Sequence, residues 1–572
     1  MSSNALTSDL DVAVDHLVTI LHHRGFAGKI QEILDNLVYY IPRLRRKRKL
    51  EELVSAFLES KLWSSSLNGD RTSLQEAAEA IFSWKLSISE PVISVFEFYE
   101  VWDRVIMRCP AWNINKLTIL IGILGTRDKF GSLQRQYFLD NSHSVYGKYA
   151  KWRDDLFVPV WRQLFKQSLG HSPRDAEDLA VLMACVFTQS EVLHEFLNQF
   201  VSILLHLSLA YIRDYKNSPV FVSRNLGSIA KTLEYALCRT DAAISSNALN
   251  ALTATIFDMS LTELHAPRAN YSTQTHSNQL LTVVSILRGC FAYSPARSEK
   301  YGQAIMSLFY VDFLAQDFGK TGFYSYEYVY KLCVAACTFS PAEYYGCLDT
   351  MRGNIYQFPN NNVVNKSRIL FLLNFLEASL GPVPITPRFL EEYLAPVVTY
   401  YAASSDAEIC EAAHAAQLCI YGDKSGDHFL QVWKRTHYLK FLEQAVQRYF
   451  SKVLSPSQLI HIFAVISQEI PALRLVDPDV SREILQYTYL RILNSRQASP
   501  EELSTLIQCL VKQLPHIDAK YITDWLENCI ELTQICPPQK EKILDCLWEQ
   551  ITSGQLSNDR ALEWFLKTQS KF

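Results

Sequence analysis

The sequence predicts an all-α chain, an irregular α-solenoid of stacked helix pairs of the HEAT or armadillo kind, and three observations predict it. Ser172-Pro173, Ser340-Pro341, Thr386-Pro387, Ser455-Pro456, Asp477-Pro478 and Ser499-Pro500 each precede a segment of helical apolar periodicity. A short oxygen-bearing side chain accepts from the free amides of a first turn, and proline at the first position removes an N–H that had no partner there. The starts at 455, 477 and 499 recur about every 22 residues, so two helices make a unit of about 44, within the HEAT and armadillo range. Glycine (19) and proline (21) are sparse in 572 residues for a loop-rich β chain.

Along the chain, Met1 to Leu10 has neither the basic-then-apolar order of a secretory signal nor an Arg-rich presequence. Ser73 with Glu76 reads as a capping box, as does Ser499 with Glu502. The most apolar stretch, Phe200 to Ile212, is interrupted by Ser202, His206 and Ser208. A membrane-spanning helix needs about 20 residues, so this one is read as a core helix and any membrane association is expected to be peripheral. His265 to Gln279 is rich in Pro, Asn, Ser, Thr and Gln and reads as a polar loop. Further loops are expected at Gln357 to Asn365 and at Gly381-Pro382-Val383-Pro384. Val397 to Tyr401 fits a helix interrupted at Pro396 better than a strand. After Ser499, Leu503, Leu506, Leu510, Val511 and Leu514 share one helical face, and Pro515 stops it. The expected organisation is an N-terminal helical repeat region over 1–264, the polar loop over 265–279, a C-terminal repeat region over 280–567 and an exposed tail over 568–572. Neighbouring helix pairs must stack to bury their apolar faces.

With 48% hydrophobic and 20% charged residues the chain can bury a large core, and a net charge of −4 gives no global basic field for nucleic acid. The 13 cysteines include no C-x-x-C pair and read as small apolar residues.

No catalytic or cofactor motif is complete, and neither an enzymatic role nor a cofactor is expected. Gly422-Asp423-Lys424-Ser425-Gly426 lacks the spacing of a phosphate cradle. Asp317-Phe318-Gly319 matches one kinase element without the others. His194-Glu195 lacks the second histidine of a zinc helix, and His22-His23 reads as the polar end of a helix.

The chain ends Ser570-Lys571-Phe572. A hydroxyl residue, a cation and a large apolar residue bearing the carboxylate make a Ser-Lys-Leu-like tail, a receptor-read peroxisomal address. Fixed donors take the carboxylate, acids meet Lys571 and an apolar pocket takes Phe572. Arg43, Arg45, Arg46, Lys47, Arg48 and Lys49 form a dense basic run. It suits a solvated helix junction, an anionic lipid or acidic protein surface, or nuclear targeting. Aromatics crowd 96–102 and 323–330; most are expected in the core, the remainder as anchors for partners.

Asn36-Leu37-Val38-Tyr39-Tyr40-Ile41-Pro42-Arg43 resembles the N-terminal segment of the fungal peroxin-eight family (peroxisomal biogenesis factor 8). So do Trp84 to Pro91 with Phe98-Tyr99-Glu100-Val101-Trp102, Phe157-Val158-Pro159-Val160-Trp161, and Gly322 to Tyr330. The resemblance implies a non-enzymatic peroxin on the matrix side of the peroxisomal membrane, peripherally attached. It implies contacts with docking-complex peroxins, with RING-finger peroxins and with the helical-repeat import receptor for C-terminal signals, and a part in cargo release. Only Ser570, Lys571 and Phe572 carry over as a defined motif, with Phe where the family more typically has Leu. A type-2 signal is not matched: Lys29-Ile30 through Asn36-Leu37 has Asn where His or Gln is expected. Apart from the resemblance, a helical adaptor of nuclear transport and a matrix enzyme carrying the address are the other classes the residues allow.

Overall fold

In the computed structural model, which describes residues 2–23, 29–63, 71–87, 92–137, 142–186, 192–265, 273–291, 298–318, 323–355, 362–552, 556 and 559–568, helix dominates and no β-strand occurs among them. An isolated bridge between Leu380 and Val383 closes the turn at Gly381, whose φ of +106° favours glycine. The chain divides into two compact units, Met1–Ala296 with Asp317–Val329, and Arg297–Gln316 with Tyr330–Phe572.

The first unit is organised on a row of helices, Ile30–Tyr40, Thr72–Ser87, Ile114–Leu124, Pro173–Cys185, Val220–Leu237 and Thr273–Phe291, each packed on the next. Ser2–His22, Lys47–Glu59, Val95–Arg108 and Ser142–Lys151 stack in the same manner beside it. The middle of the row is closed in on every side: residues 116–123 of Ile114–Leu124 are all buried, whereas Ile30–Tyr40 at its end buries only Ile33, Leu34 and Leu37. The axes come close where a side chain is missing. A Cβ on Gly122 would strike Gln75 O and Ala78 Cβ, and one on Gly289 would strike Leu237 Cβ and Glu234 O. Phe98, Tyr99 and Trp102 are core residues, set edge-on to Phe82 with centroids 5.3, 5.2 and 5.0 Å away. The Leu197–Arg213 helix buries Phe200, Val201, Leu204, Leu207, Ser208, Tyr211 and Ile212 and leaves Ser202, His206 and Ala210 exposed, so it is amphipathic rather than buried all round. No described helix is long and apolar enough to cross a membrane.

The second unit repeats the plan. Ser298–Ala315, Val363–Ser379, Ala407–Gly422, Pro456–Ser467, Pro500–Gln513 and Lys540–Thr552 form its row. The first residues 363, 407, 456 and 500 recur at roughly the interval of about 44 read from the sequence. Pro500–Gln513 is buried nearly all round, whereas its neighbour Ile522–Ile535 buries only Ile522, Leu526, Cys529, Leu532 and Thr533. Stacked helix pairs are thus the architecture of both units.

Helix starts follow the sequence with three differences. Ser455 with Gln458 and Ser499 with Glu502 form complete capping boxes, and Thr386 Oγ1 accepts from Phe389 N at 3.2 Å. Ser172 and Ser340 precede their prolines without a side-chain cap bond. Asp479, not Asp477, is the N-cap of Val480–Asn494, because the Asp477 carboxylate accepts from Asp479 N at 3.0 Å and pairs with Arg435. The box expected at Ser73 and Glu76 does not form: the helix starts at Thr72, next to Arg71, which is anchored on Asp175 and Asp178. Pro396 does not interrupt its helix. A π-helical segment, Phe389–Leu394, widens the turn before it, and the Glu392 carbonyl, four residues before the proline, accepts instead from Arg352 Nη1 at 3.0 Å. The same device, Trp152–Phe157, precedes Pro159 in the first unit.

The polar loop expected over 265–279 is shorter than read. His265 ends one helix, 266–272 lie outside the described residues, and Thr273 already begins the next. The buried face of that first turn is polar, with His276 and Gln279, so apolar periodicity could not reveal it; Gln279 Nε2 donates to Ile212 O at 3.0 Å. The division between units falls at Ala296/Arg297 instead. In the second expected loop, 356–361 lie outside the described residues, and Asn362 caps a helix from Val363.

Candidate functional site

The basic run lies where the 3-10 turn Ile41–Arg43 leads into the Lys47–Glu59 helix. Pro42 sets the turn, and Leu44 and Leu50 bury the chain on either side, leaving the cations outside. Arg43 Nη1 donates to Tyr39 O at 2.9 Å, and its guanidinium lies over Tyr39 (4.2 Å) and Trp84 (5.8 Å), both half-exposed rings. Arg46 pairs with Asp11 at 2.7 Å, Lys47 with Glu97 at 2.8 Å, Arg48 with Glu52 at 3.1 Å, and Lys49 with Asp15 at 2.5 Å and Glu52 at 3.0 Å. Arg45 is exposed. Hydrogen bonds to Asp15 and Glu52 raise Lys49, while Lys47 and the Ser94 hydroxyl hold Glu97 down at about 2. Most of the run is therefore engaged with acids of neighbouring helices. Exposed pairs of this kind are weak because solvent and salt screen them.

Ser570, Lys571 and Phe572 lie outside the described residues. The described chain leads to them through the Asp559–Thr568 helix, held by buried Ala561 and Trp564, with Leu566 exposed. Of the aromatics over 323–330, Tyr324 and Tyr328 stand exposed and Phe323, Tyr326 and Tyr330 are half-buried, so this run, unlike Phe98, Tyr99 and Trp102, is not mainly core. Among the described residues no group of three or more His, Cys, Asp or Glu could hold a metal ion.

Sequence reasoning missed the most buried charge in the second unit. Lys434, with a fully buried side chain, donates to Tyr421 O and Asp423 O at 2.7 Å each and to Glu469 Oε2 at 2.8 Å. It closes carbonyls at the end of the Ala407–Gly422 helix, where a cation also complements the helix dipole. Beside it, Arg435 bridges Asp477 and Glu483. The only sequence signal is a lysine at a position that helical phase assigns to the core, with Leu430, Tyr438 and Phe441.

Stacked helix pairs, a charged junction and an address-like tail define a helical-repeat protein whose determinants are contact surfaces. Residues 432–568 match the model of the PEX8 C-terminal domain. The chain is 27% identical to peroxisomal biogenesis factor 8 of Saccharomyces cerevisiae, over 98% of each chain. It is 25% identical to peroxisomal biogenesis factor 8 of Pichia angusta over 43% of this chain and 41% of that one. The resemblance read from the sequence holds: the chain is similar to peroxisomal biogenesis factor 8 over nearly its whole length, and that similarity supports a role in peroxisome biogenesis. Among solved structures it is similar to Kap121p, crystallised bound to Ste12p, with TM-score 0.40 and 10% identity, covering 96% of this chain and 56% of that one.

Proposed function

We propose that this chain is a non-enzymatic factor of matrix-protein import, peripherally attached at the matrix side of the peroxisomal membrane. It bridges the docking and RING-finger subcomplexes, binds the import receptor for C-terminal signals and aids cargo release. The observation that carries this reading is the similarity to peroxisomal biogenesis factor 8 of Saccharomyces cerevisiae over 98% of each chain, with Ser570, Lys571 and Phe572 as the proposed address. Two stacked-helix units offer long lateral surfaces, which suit several simultaneous partners. The basic run supplies an auxiliary contact with an anionic surface, by exchange of its exposed ion pairs.

The test is crosslinking on intact peroxisomes, with the full chain carrying a photoreactive residue in each unit in turn. Recovery of docking and RING-finger peroxins together with the receptor is expected. Recovery of matrix enzymes alone, or a tagged chain with free C-terminus found in the nucleus, would contradict it.

A further inference from the structure

The cysteines read as core residues are not all equivalent. In the second unit, Cys333 and Cys337 lie one turn apart on the helix that ends at Cys337. The segment Thr338–Ser340 then leads into Pro341–Gly353, which carries Cys347. Cys337 Sγ and Cys347 Sγ are 4.0 Å apart, and both residues are buried. The Cys347 thiol also lies within 3.6 Å of Gly302 O. Gly302 permits this approach: a Cβ there would strike the Glu343 carboxylate and come within 3.3 Å of Cys347 Sγ. The hydrogen bond from Cys347 lowers the Cys337 thiol, and the same bond raises Cys347. Burial pushes Cys333 up. One thiol of the three is thus favoured as thiolate, with a protonated neighbour in contact.

From this geometry we propose that Cys337 and Cys347 are a disulfide-forming pair, a modification site inside the helical hairpin, with a hydroperoxide as oxidant. The Cys337 thiolate attacks one peroxide oxygen. The O–O bond breaks, the departing hydroxide takes a proton and leaves as water, and Cys337 becomes a sulfenic acid. The Cys347 sulfur then attacks the Cys337 sulfur, the S–O bond breaks, and the thiol proton leaves with the hydroxide as a second water. Two thiols lose two electrons and two protons to one hydrogen peroxide. The sulfurs must close from 4.0 Å to about 2.05 Å. The product ties the end of one helix to the middle of the next.

The experiment uses the full-length protein. It is treated with hydrogen peroxide, free thiols are alkylated, and chymotrypsin cleaves at Phe339 and Tyr344 to separate Cys347 from Cys333 and Cys337. The expected result is a linked pair of peptides, lighter by two hydrogens than their sum, abolished by dithiothreitol and absent from Cys337→Ser and Cys347→Ser. Cys333→Ser, which leaves the pair intact, is expected to retain it. In hydrogen exchange, amides of 341–353 slow on oxidation in the native sequence and in Cys333→Ser. Alkylated Cys337 and Cys347 after treatment, a link that forms only in denaturant, or a link through Cys333 that survives in Cys347→Ser would each overturn the assignment.

Discussion

The two units share a plan and hold it together differently. In the first, polar links tie Thr72–Ser87 to Pro173–Cys185 and Val220–Leu237. Gln75 and Asn225 exchange two amide hydrogen bonds of 3.0 Å inside the core, Arg224 reaches Glu76 and Glu79, and Arg71 is held by Asp175 and Asp178. In the second, Leu459, Ile462, Phe463 and Ile466 join Leu503, Leu506, Ile507 and Leu510 in one apolar cluster, and Lys434 makes a buried ion pair with Glu469. A polar seam fixes register through hydrogen-bond geometry; an apolar seam derives its strength from burial and tolerates repacking. The first unit is therefore expected to answer to pH and to loss of single polar partners, and the second to loss of the buried cation Lys434.

The largest effect is expected at that cation. Lys434→Ala leaves Glu469 charged and buried without its partner, a loss of about 3–5 kcal/mol. Hydrogen exchange over 407–450 would show it as lost protection. Combining Lys434→Met with Glu469→Leu is expected to restore much of it, and a double variant no better than the single would assign the loss to the freed carbonyls of Tyr421 and Asp423.

Next comes Lys85 in the first unit, buried against Phe98 and hydrogen-bonded to the carbonyls of Pro42 and Ile93. Burial lowers it from 10.5 to about 8, opposed by the charge of Glu97. Between these values the unfolded chain binds the proton more than the folded one, so stability from this group rises with pH across the window. The native protein is expected to gain up to about 3 kcal/mol relative to Lys85→Met between pH 8 and pH 10.5. Denaturant midpoints of the two proteins that run parallel with pH would contradict this.

Gln75→Ala is expected to cost less, about 1–3 kcal/mol, by removing two hydrogen bonds of the Asn225 amide in the core. Replacing both residues by Leu should recover part of that loss. Exchange protection over 72–87 and 220–237 measures it, and unchanged protection in the single variant would mean that Cys185 and the Phe221 carbonyl, both bonded to Asn225, suffice.

The same contrast explains what could be read beforehand. Helix starts at Ser455 and Ser499 were legible because cap, proline and apolar phase agree locally, and the interval of about 44 followed from them. Thr273–Gln279 was not legible, because its buried positions are polar and are matched by groups far along the chain, such as Ile212 O. Lys434 and Lys85 read as ordinary charges for the same reason: the carbonyls that accept from them come from other elements. The basic run was legible as charge, but its engagement with Asp11, Asp15, Glu52 and Glu97 required the fold.

The tail Ser570-Lys571-Phe572 carries the central claim. In the proposed receptor groove a phenylalanine would bury an apolar payload comparable to leucine, but a pocket moulded on leucine must open for a ring, and overpacking costs about 1–3 kcal/mol. The decisive measurement is the affinity of the full chain for the repeat domain of the C-terminal-signal receptor, beside Phe572→Leu and a chain lacking Ser570 to Phe572. The native chain is expected to bind, the leucine variant to bind up to about a hundredfold more tightly, and the truncated chain to lose binding through that groove. A truncated chain that binds as tightly as the native one would contradict the reading of Ser570-Lys571-Phe572 as the receptor's signal.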